Sequence, residues 1–461
     1  MDQRVDRWID EHENELIEGL RANLSYRTVK DPDTAGPGAP FGQAIADCLG
    51  NALAQAKALG FETKNLDGYC GCVDFGAGEE QLGILCHLDV VPEGTGWKYP
   101  PYAAEIHDGL LYARGVMDDK GPAFAALYAM AALKALGLPM KRRVRLILGC
   151  DEESGMECLK HYNKVEKAPD MAFSPDAEYP VVNSEKMIYR GEFKKEYRSG
   201  IRLKAGTVPN AVPGEAEAEL ALPLNRILPI MEAFMEKSEY ACAAEATDTG
   251  CRIKMTGVAA HASTPEQGKN AFLALIALLD KLPLEAEDVK TVAGLVSALR
   301  FDHHGEAFGL DLSDASGRLT LNPGVVEWDE TGIKRLTVDI RAPISADGTV
   351  IRQRLAKGFK PAGLAETVSR WSEGYYIPPE SELVKSLLDV YAARSGKRLP
   401  PLAIGGGTYA RHLKNAVAFG IERPGEPSPI HMANECMPVA HLIEDAKMLA
   451  DAILALAVEK N

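Results

Sequence analysis

The run Gly83-Ile84-Leu85-Cys86-His87-Leu88-Asp89-Val90-Val91-Pro92-Glu93 is apolar up to a histidine, with an aspartate two positions later and a proline closing it. An apolar run bounded by Gly and Pro predicts a short buried strand whose far end opens into a loop. Residues i and i+2 of a strand point the same way, so His87 and Asp89 lie side by side. In that arrangement a carboxylate can accept the second ring N–H of a metal-binding imidazole. Taken alone, the pair reads rather as a solvated His and Asp at a strand end, and the rest of the chain overturns that reading.

The same pattern recurs. Val144 to Gly149 reads as a strand that ends at Cys150-Asp151-Glu152-Glu153-Ser154-Gly155. Gly109 to Gly115 reads as strand and turn, followed by Val116-Met117-Asp118-Asp119-Lys120-Gly121, and Met171-Ala172-Phe173 leads into Ser174-Pro175-Asp176-Ala177-Glu178. Between these, Pro122 to Leu138 is an Ala-rich helix, apolar nearly all round and so predicted to be buried. Upstream, residues 1–24 have the spacing of a surface capping helix, Phe41 to Leu59 that of a second helix, and Val73 to Leu85 reads as a hairpin entering the His87 strand. Strands alternating with helices predict an α/β fold: a mixed, mostly parallel sheet flanked by helices. Ligands of such sheets collect at the carboxyl ends of the strands.

From about residue 184 the character changes to short alternating segments with a helix at Asn270 to Leu282, which predicts an inserted α+β domain over 184–377. The helix-then-strand pattern returns after residue 377 and ends in a helix near Ile443 to Val458. The first domain is therefore expected to be split, 1–183 and 378–461, around the insertion.

Loops converging from four such strand ends would gather several carboxylates beside a histidine. They cannot all ionise there unless cations neutralise them. Oxygen ligands mixed with imidazole suit Zn²⁺, Mn²⁺ or Co²⁺ better than an all-oxygen Ca²⁺ cage. Adjacent carboxylates normally point apart, so one of Glu152 and Glu153 can bind metal while the other faces substrate. A net charge of −15 argues against nucleic acid or an anionic membrane as partner. The polar N-terminus, the lack of any run of membrane-spanning length and nine scattered cysteines point to the reduced cytoplasm.

Taken in order, His87-x-Asp89, Gly115-x-x-Asp118-Asp119-Lys120-Gly121, Asp151-Glu152-Glu153-Ser154-Gly155, Ser174-Pro175-Asp176-Ala177-Glu178 and His431-x-x-Asn434-Glu435 resemble the aminoacylase, carnosinase and peptidase V family of co-catalytic metallopeptidases. The resemblance spans about residues 5–455. Phe173 to Glu178 and Gly405-Gly406-Gly407-Thr408-Tyr409-Ala410-Arg411 bring it closest to the peptidase V branch, whose members cleave Xaa-His-type dipeptides. It implies two divalent ions, one held by His87, Asp118 and Asp176 and the other by Asp118, Glu153 and His431, with Asp118 bridging. It also implies Glu152 as general base, Asp89 as the partner of His87, and a cis peptide after Asp118.

In the insertion, Gly257-Val258-Ala259-Ala260-His261-Ala262-Ser263-Thr264-Pro265 resembles the family's lid motif, in which the histidine reaches the tetrahedral intermediate; Ser263 or Thr264 also reads as a helix N-cap. Asn210 and Arg341 match residues that hold the substrate's terminal carboxylate. Gly406, Gly407 and Thr408 are candidates for backbone contacts to substrate, since glycines permit close approach. The expected activity is hydrolysis of dipeptides with a free amino terminus by a protein functional as a monomer. An N-acyl-amino-acid amidohydrolase and a non-catalytic metal-binding scaffold of the same fold are the alternatives. Lys120 lies in a matched motif with no chemistry to assign, and His12, His161, His303, His304 and His412 have no motif context.

Overall fold

The computed structural model describes residues 1–459. The chain divides into two compact units, residues 1–183, 377–402 and 407–461 forming the first and residues 184–376 and 403–406 the second.

The first unit is built on the sheet that the apolar runs predict. Its strands are ordered Glu62–Leu66, Cys70–Phe75, Arg143–Gly149, Gln81–His87, Met171–Ser174 and Ala416–Ala418. The last four run parallel, with His87 opposite Gly149. Every residue of Gln81–His87 after the first is buried, as a central parallel strand covered on both faces requires. The expected hairpin between Val73 and Leu85 does not form. Arg143–Gly149 lies between its two arms, antiparallel to Cys70–Phe75 and parallel to Gln81–His87. Both arms are apolar on both faces, and an equally apolar central strand satisfies both edges where a two-stranded ribbon would leave them open.

The helix Lys120–Ala135 is buried from Lys120 to Leu133 and packs on the Gln81–His87 strand and on the C-terminal helix Val439–Ala457. Residues 1–24 form two helices, Gln3–Glu11 and Glu13–Leu24, broken at His12. The fold class is α/β with a mixed sheet, parallel across its four central strands and antiparallel toward its edges, where the sequence predicts a mostly parallel one.

The second unit is α+β. Eight antiparallel strands are ordered Ala241–Thr247, Gly250–Thr256, Glu215–Leu220, Ile201–Ala205, Thr320–Asp329, Gly332–Ala342, Met187–Glu196 and Ala365–Ser372. Their alternating pattern, as in Ala216, Ala218 and Leu220 buried between charged neighbours, leaves one face for helices. Ala271–Leu279 and Ala286–Leu299 fill it around a core containing Phe272, Leu275, Leu295, Trp328 and Phe359. Asn270 caps the first of these helices, its side chain accepting the N–H groups of Phe272 and Leu273.

Candidate active site

His87 is the last residue of its strand and is fully buried. Its Nε2 lies 2.8 Å from Asp118 Oδ1 and 3.8 Å from Asp176 Oδ2. The other oxygen of Asp118, Oδ2, lies 2.8 Å from Nε2 of His431, which is also 3.1 Å from Glu153 Oε1. One carboxylate thus faces two imidazoles, one through each oxygen. Ligand atoms of His87, Asp118 and Glu153 all fall within 4.8 Å of one another. Nε2 of His87 makes no well-formed hydrogen bond despite its proximity to Asp118. An unpartnered buried ring nitrogen among carboxylate oxygens is what a bound divalent ion would satisfy, so the residues present fit a metal.

The protonation of the cluster points the same way. Burial pulls the His87 imidazole down, but Asp118, Asp89 and Asp176 more than offset this and the net shift is upward. Asp118 and Glu153 raise His431 to about 10. Burial raises Asp118, yet the two imidazoles hold it well below the usual carboxylate range. Glu152 is pushed up to about 9 by burial, with Asp176, Glu153 and Asp118 adding to the effect against His87. Asp176 rises to about 7, again through burial first and the Asp118 charge second. Protein groups alone leave these acids mutually destabilised when ionised, a tension that cations would relieve.

The loops carrying these groups are fixed by buried carboxylates. The Asp118–Asp119 peptide is cis, as the resemblance implies. Asp119 Oδ2 accepts the backbone N–H of His87 at 3.0 Å. Glu435, 1% exposed, accepts from Arg114 Nη1 at 2.6 Å and from the backbone N–H groups of Gly115, Met117 and Asp118 at 3.1, 2.9 and 3.3 Å. His431 and Asn434 both adopt left-handed φ values, 63° and 65°. Asn434 secures their loop by accepting the Lys98 N–H at 2.6 Å and donating to the Gly96 carbonyl at 3.2 Å.

Asp89 is placed differently from the expectation. His87 Nδ1 bonds the backbone carbonyl of Asp89 at 2.9 Å, whereas the carboxylate oxygen stands 3.6 Å away. That carboxylate accepts the N–H groups of Glu152 and Glu153, each at 3.1 Å. With two backbone donors at hand, it orients the Glu152-Glu153 turn while the main chain fixes the imidazole tautomer.

In the second unit, Val212 N–H and Ala262 N–H bond the carbonyls of Ala260 and Asn210, which zips the Asn210 loop to the His261 loop. Nδ1 of His261 lies 2.6 Å from Ser263 Oγ. Ser263 therefore orients the histidine, and neither it nor Thr264 caps the short helix that begins at Pro265. Desolvation and then the Arg341 charge lower the His261 pKa. Arg341 is buried, with Nε 2.6 Å from Asp339 Oδ1 and Nη1 2.5 Å from the Gly405 carbonyl. Asn210, His261 and Arg341 are thus gathered in one unit, although one edge of the guanidinium is already taken by Asp339. Gly405 touches Ser263 so closely that a Cβ there would sit 2.6 Å from Ser263 Cβ, while a Cβ on Gly406 would meet nothing nearer than 3.9 Å. Gly407 is exposed. Thr408 accepts the Ala410 N–H and caps the helical turn Tyr409–His412.

The comparisons with known proteins join this geometry. The model of peptidase family M20/M25/M40 matches residues 83–455. The chain belongs to that family. It is therefore a hydrolase of metallopeptidase type. The Beta-Ala-Xaa dipeptidase of Lactobacillus delbrueckii subsp. lactis is 33% identical over 472 residues, covering 100% of both chains. The YtjP protein of Bacillus subtilis (strain 168) is 36% identical over 454 residues, 96% of this chain and 97% of its own. Among solved structures, human carnosine dipeptidase 1 shares the fold with a TM-score of 0.57 at 15% identity, covering 98% of each chain.

The clamp by Glu435 and the role of Lys120 emerge only in the fold. Lys120 is fully buried, and its Nζ donates to the carbonyls of Asn23 and Tyr26 at 3.2 and 3.0 Å, anchoring the Asp118 loop to the end of the second helix. The placement of Glu435 four residues after His431 is the one local signal for the clamp.

Proposed function

We propose that this chain is a two-metal dipeptidase that cleaves dipeptides bearing a free amino terminus. The observation that carries the reading is Asp118, whose two oxygens each lie 2.8 Å from the Nε2 of a different histidine. His87, Asp118 and Asp176 would hold one ion and Asp118, Glu153 and His431 the other, with Zn²⁺ or Mn²⁺ as the resident metal and Co²⁺ as a substitute. Bound there, the ions supply Lewis acidity that brings water ionisation near neutral pH. Glu152 adjoins the ligand Glu153 but is not needed as a ligand, and it accepts the proton of the attacking water and returns it to the leaving amine. Asp89 holds the backbone on which Glu152 sits. His261 donates to the oxyanion, and Asn210 and Arg341 take the terminal carboxylate, with Gly406, Gly407 and Thr408 offering backbone contacts. The full-length similarity to a Beta-Ala-Xaa dipeptidase supports a dipeptide as substrate.

The protein works as a monomer in the cytoplasm, a placement supported by nine free cysteines and by the absence, among the described residues, of a helix long and apolar enough to cross a membrane. The test is hydrolysis of Ala-Ala and N-acetyl-Ala by metal-loaded and chelator-stripped protein. Metal-dependent cleavage of the dipeptide alone is expected. Preferential release of acetate would instead make the protein an amidohydrolase, and a metal-loaded protein inert on both would be a scaffold.

A further inference from the structure

The first unit contains a second concavity that the reaction as proposed does not use. It encloses about 580 Å³ and is walled by Leu110, Met117, Ile421, Met432 and Met437. Three of the ligand-bearing segments adjoin it. Met117 directly precedes Asp118, Met432 directly follows His431, and the wall residues Ile421 and Glu422 pair as a strand with Ala177 and Glu178, which directly follow Asp176. Consecutive Cα atoms are about 3.8 Å apart, so the cavity wall is built in part from the same segments that carry the metal ligands.

Its arginine is engaged with acids outside the cavity, and its histidine lies near one of its own glutamates. Arg423 donates to Asp445 Oδ1 at 3.1 Å and Glu444 Oε2 at 3.3 Å, and His441 Nδ1 lies 3.9 Å from Glu426 Oε2. Most of what is left open is apolar. Met432 is 61% exposed at the mouth while Ile421 and Met437 are buried in the wall. Methionines are unbranched and polarizable, so a wall containing three of them adapts to side chains of differing shape.

We propose that this cavity receives the side chain of the amino-terminal residue of the dipeptide, and that the preferred substrates are α-dipeptides with a long apolar residue there, such as leucine, methionine or phenylalanine. This rests on the proposed dipeptidase reading. Arg341 and Asn210 are assigned to the terminal carboxylate, so this cavity, walled by the ligand-bearing segments, is left for the residue at the other end of the dipeptide. A β-alanyl residue carries no side chain and would leave the cavity empty, which separates this chain's preference from the activity named for its Lactobacillus delbrueckii relative.

The test compares kcat/KM for Leu-Ala, Ala-Ala and β-Ala-Ala on the metal-loaded protein, and repeats it with Met432→Gln and Leu110→Asn. Burying the extra carbons of leucine should favour Leu-Ala over Ala-Ala by about tenfold or more, and the ratio should fall toward unity in both variants. A wild-type ratio near unity, or a ratio unchanged in both folded variants, overturns the assignment. The cavity is also tested without turnover. With the methionine methyl groups labelled with ¹³C, free L-leucine should shift the NMR signals of Met117, Met432 and Met437 where L-alanine does not, the Met432→Gln spectrum assigning one of them. A protein that cleaves no dipeptide yet shows these shifts would refute the proposed reaction and keep the pocket; dipeptide cleavage without either leucine effect would do the reverse.

Discussion

Glu435→Gln should be among the most damaging single substitutions outside the metal ligands. The Glu435 carboxylate is buried and accepts four hydrogen bonds, one from Arg114 and three from the backbone between Gly115 and Asp118. Glutamine keeps the shape but offers one acceptor oxygen, and its amide turns a donor toward groups that are themselves donors. Arg114, 1% exposed and with its Nε already lacking a partner, would be left as an uncompensated buried charge. Breaking a buried pair from one side costs about 3–5 kcal/mol, equivalent to a fall in Tm of roughly 10 °C for a unit of this size. Arg114→Met should be milder, because the carboxylate keeps its three backbone donors and the arginine's contact with the Trp97 ring, 5.4 Å from its guanidinium carbon, is partly replaced by the thioether. Urea unfolding of both variants and of the double variant measures the asymmetry, and the double should recover part of the Glu435→Gln loss. A Glu435→Gln protein within about 1 kcal/mol of wild type, or an Arg114→Met loss as large as that of Glu435→Gln, would refute the clamp.

Four further outcomes are expected. Glu152→Gln should bind metal normally by calorimetry yet lose about a hundredfold to ten-thousandfold in kcat; near wild-type turnover would remove it from the general-base role. His261→Ala should lower kcat far more than it raises KM, and Arg341→Ala should raise KM, since a substrate carboxylate is charged in ground and transition states alike; an effect of His261→Ala on KM alone would reassign it to binding. Burial pushes Asp445 up to about 7 against the pull of Arg423 and Tyr179, so the folded state binds the extra proton between about pH 4 and 7. Its contribution is full below that window and is lost as pH rises through it, and the stability of wild type relative to Asp445→Asn in urea should fall over the same range; a constant difference would refute the shift. Light scattering on active protein should give a monomer, and activity confined to a dimer would overturn that expectation.

The sequence makes the framework readable because the apolar runs are short, end in Gly or Pro, and put His87, Glu152 and Asp176 just past their ends. Asp89 shows the limit of that reasoning. Spacing places it beside His87, but the partner of its carboxylate is a turn more than sixty residues downstream. The hairpin misreading between Val73 and Leu85 has the same origin, since the strand that separates the two arms begins at Arg143. Ser263 carries a local signal for capping that it does not follow, because its Oγ has a stronger partner in His261 Nδ1, whereas Thr408, expected as a substrate contact, caps the turn Tyr409–His412. Arg114 and Glu435 are 321 residues apart, and the place of Glu435 four residues after His431 is the one local sign of the pair.

The acids around the site divide into two jobs, and the division explains why they come in doublets. Adjacent side chains on an irregular loop point apart, so a pair of neighbouring acids can give one group to the ion site and one to the frame. Asp118 faces the imidazoles while Asp119 holds the His87 N–H. Glu152 and Glu153 follow Asp151, whose buried carboxylate takes Lys30 Nζ at 2.6 Å and the Glu157 N–H at 3.1 Å. Asp89, Asp119, Asp151 and Glu435 together tie down the backbone of the His87, Asp118 and Glu152-Glu153 segments. Each does so by accepting backbone N–H groups. A site that must hold several carboxylates close together cannot rely on those carboxylates to organise it, because their mutual repulsion opposes the arrangement. The frame acids supply the order that the ligand acids resist.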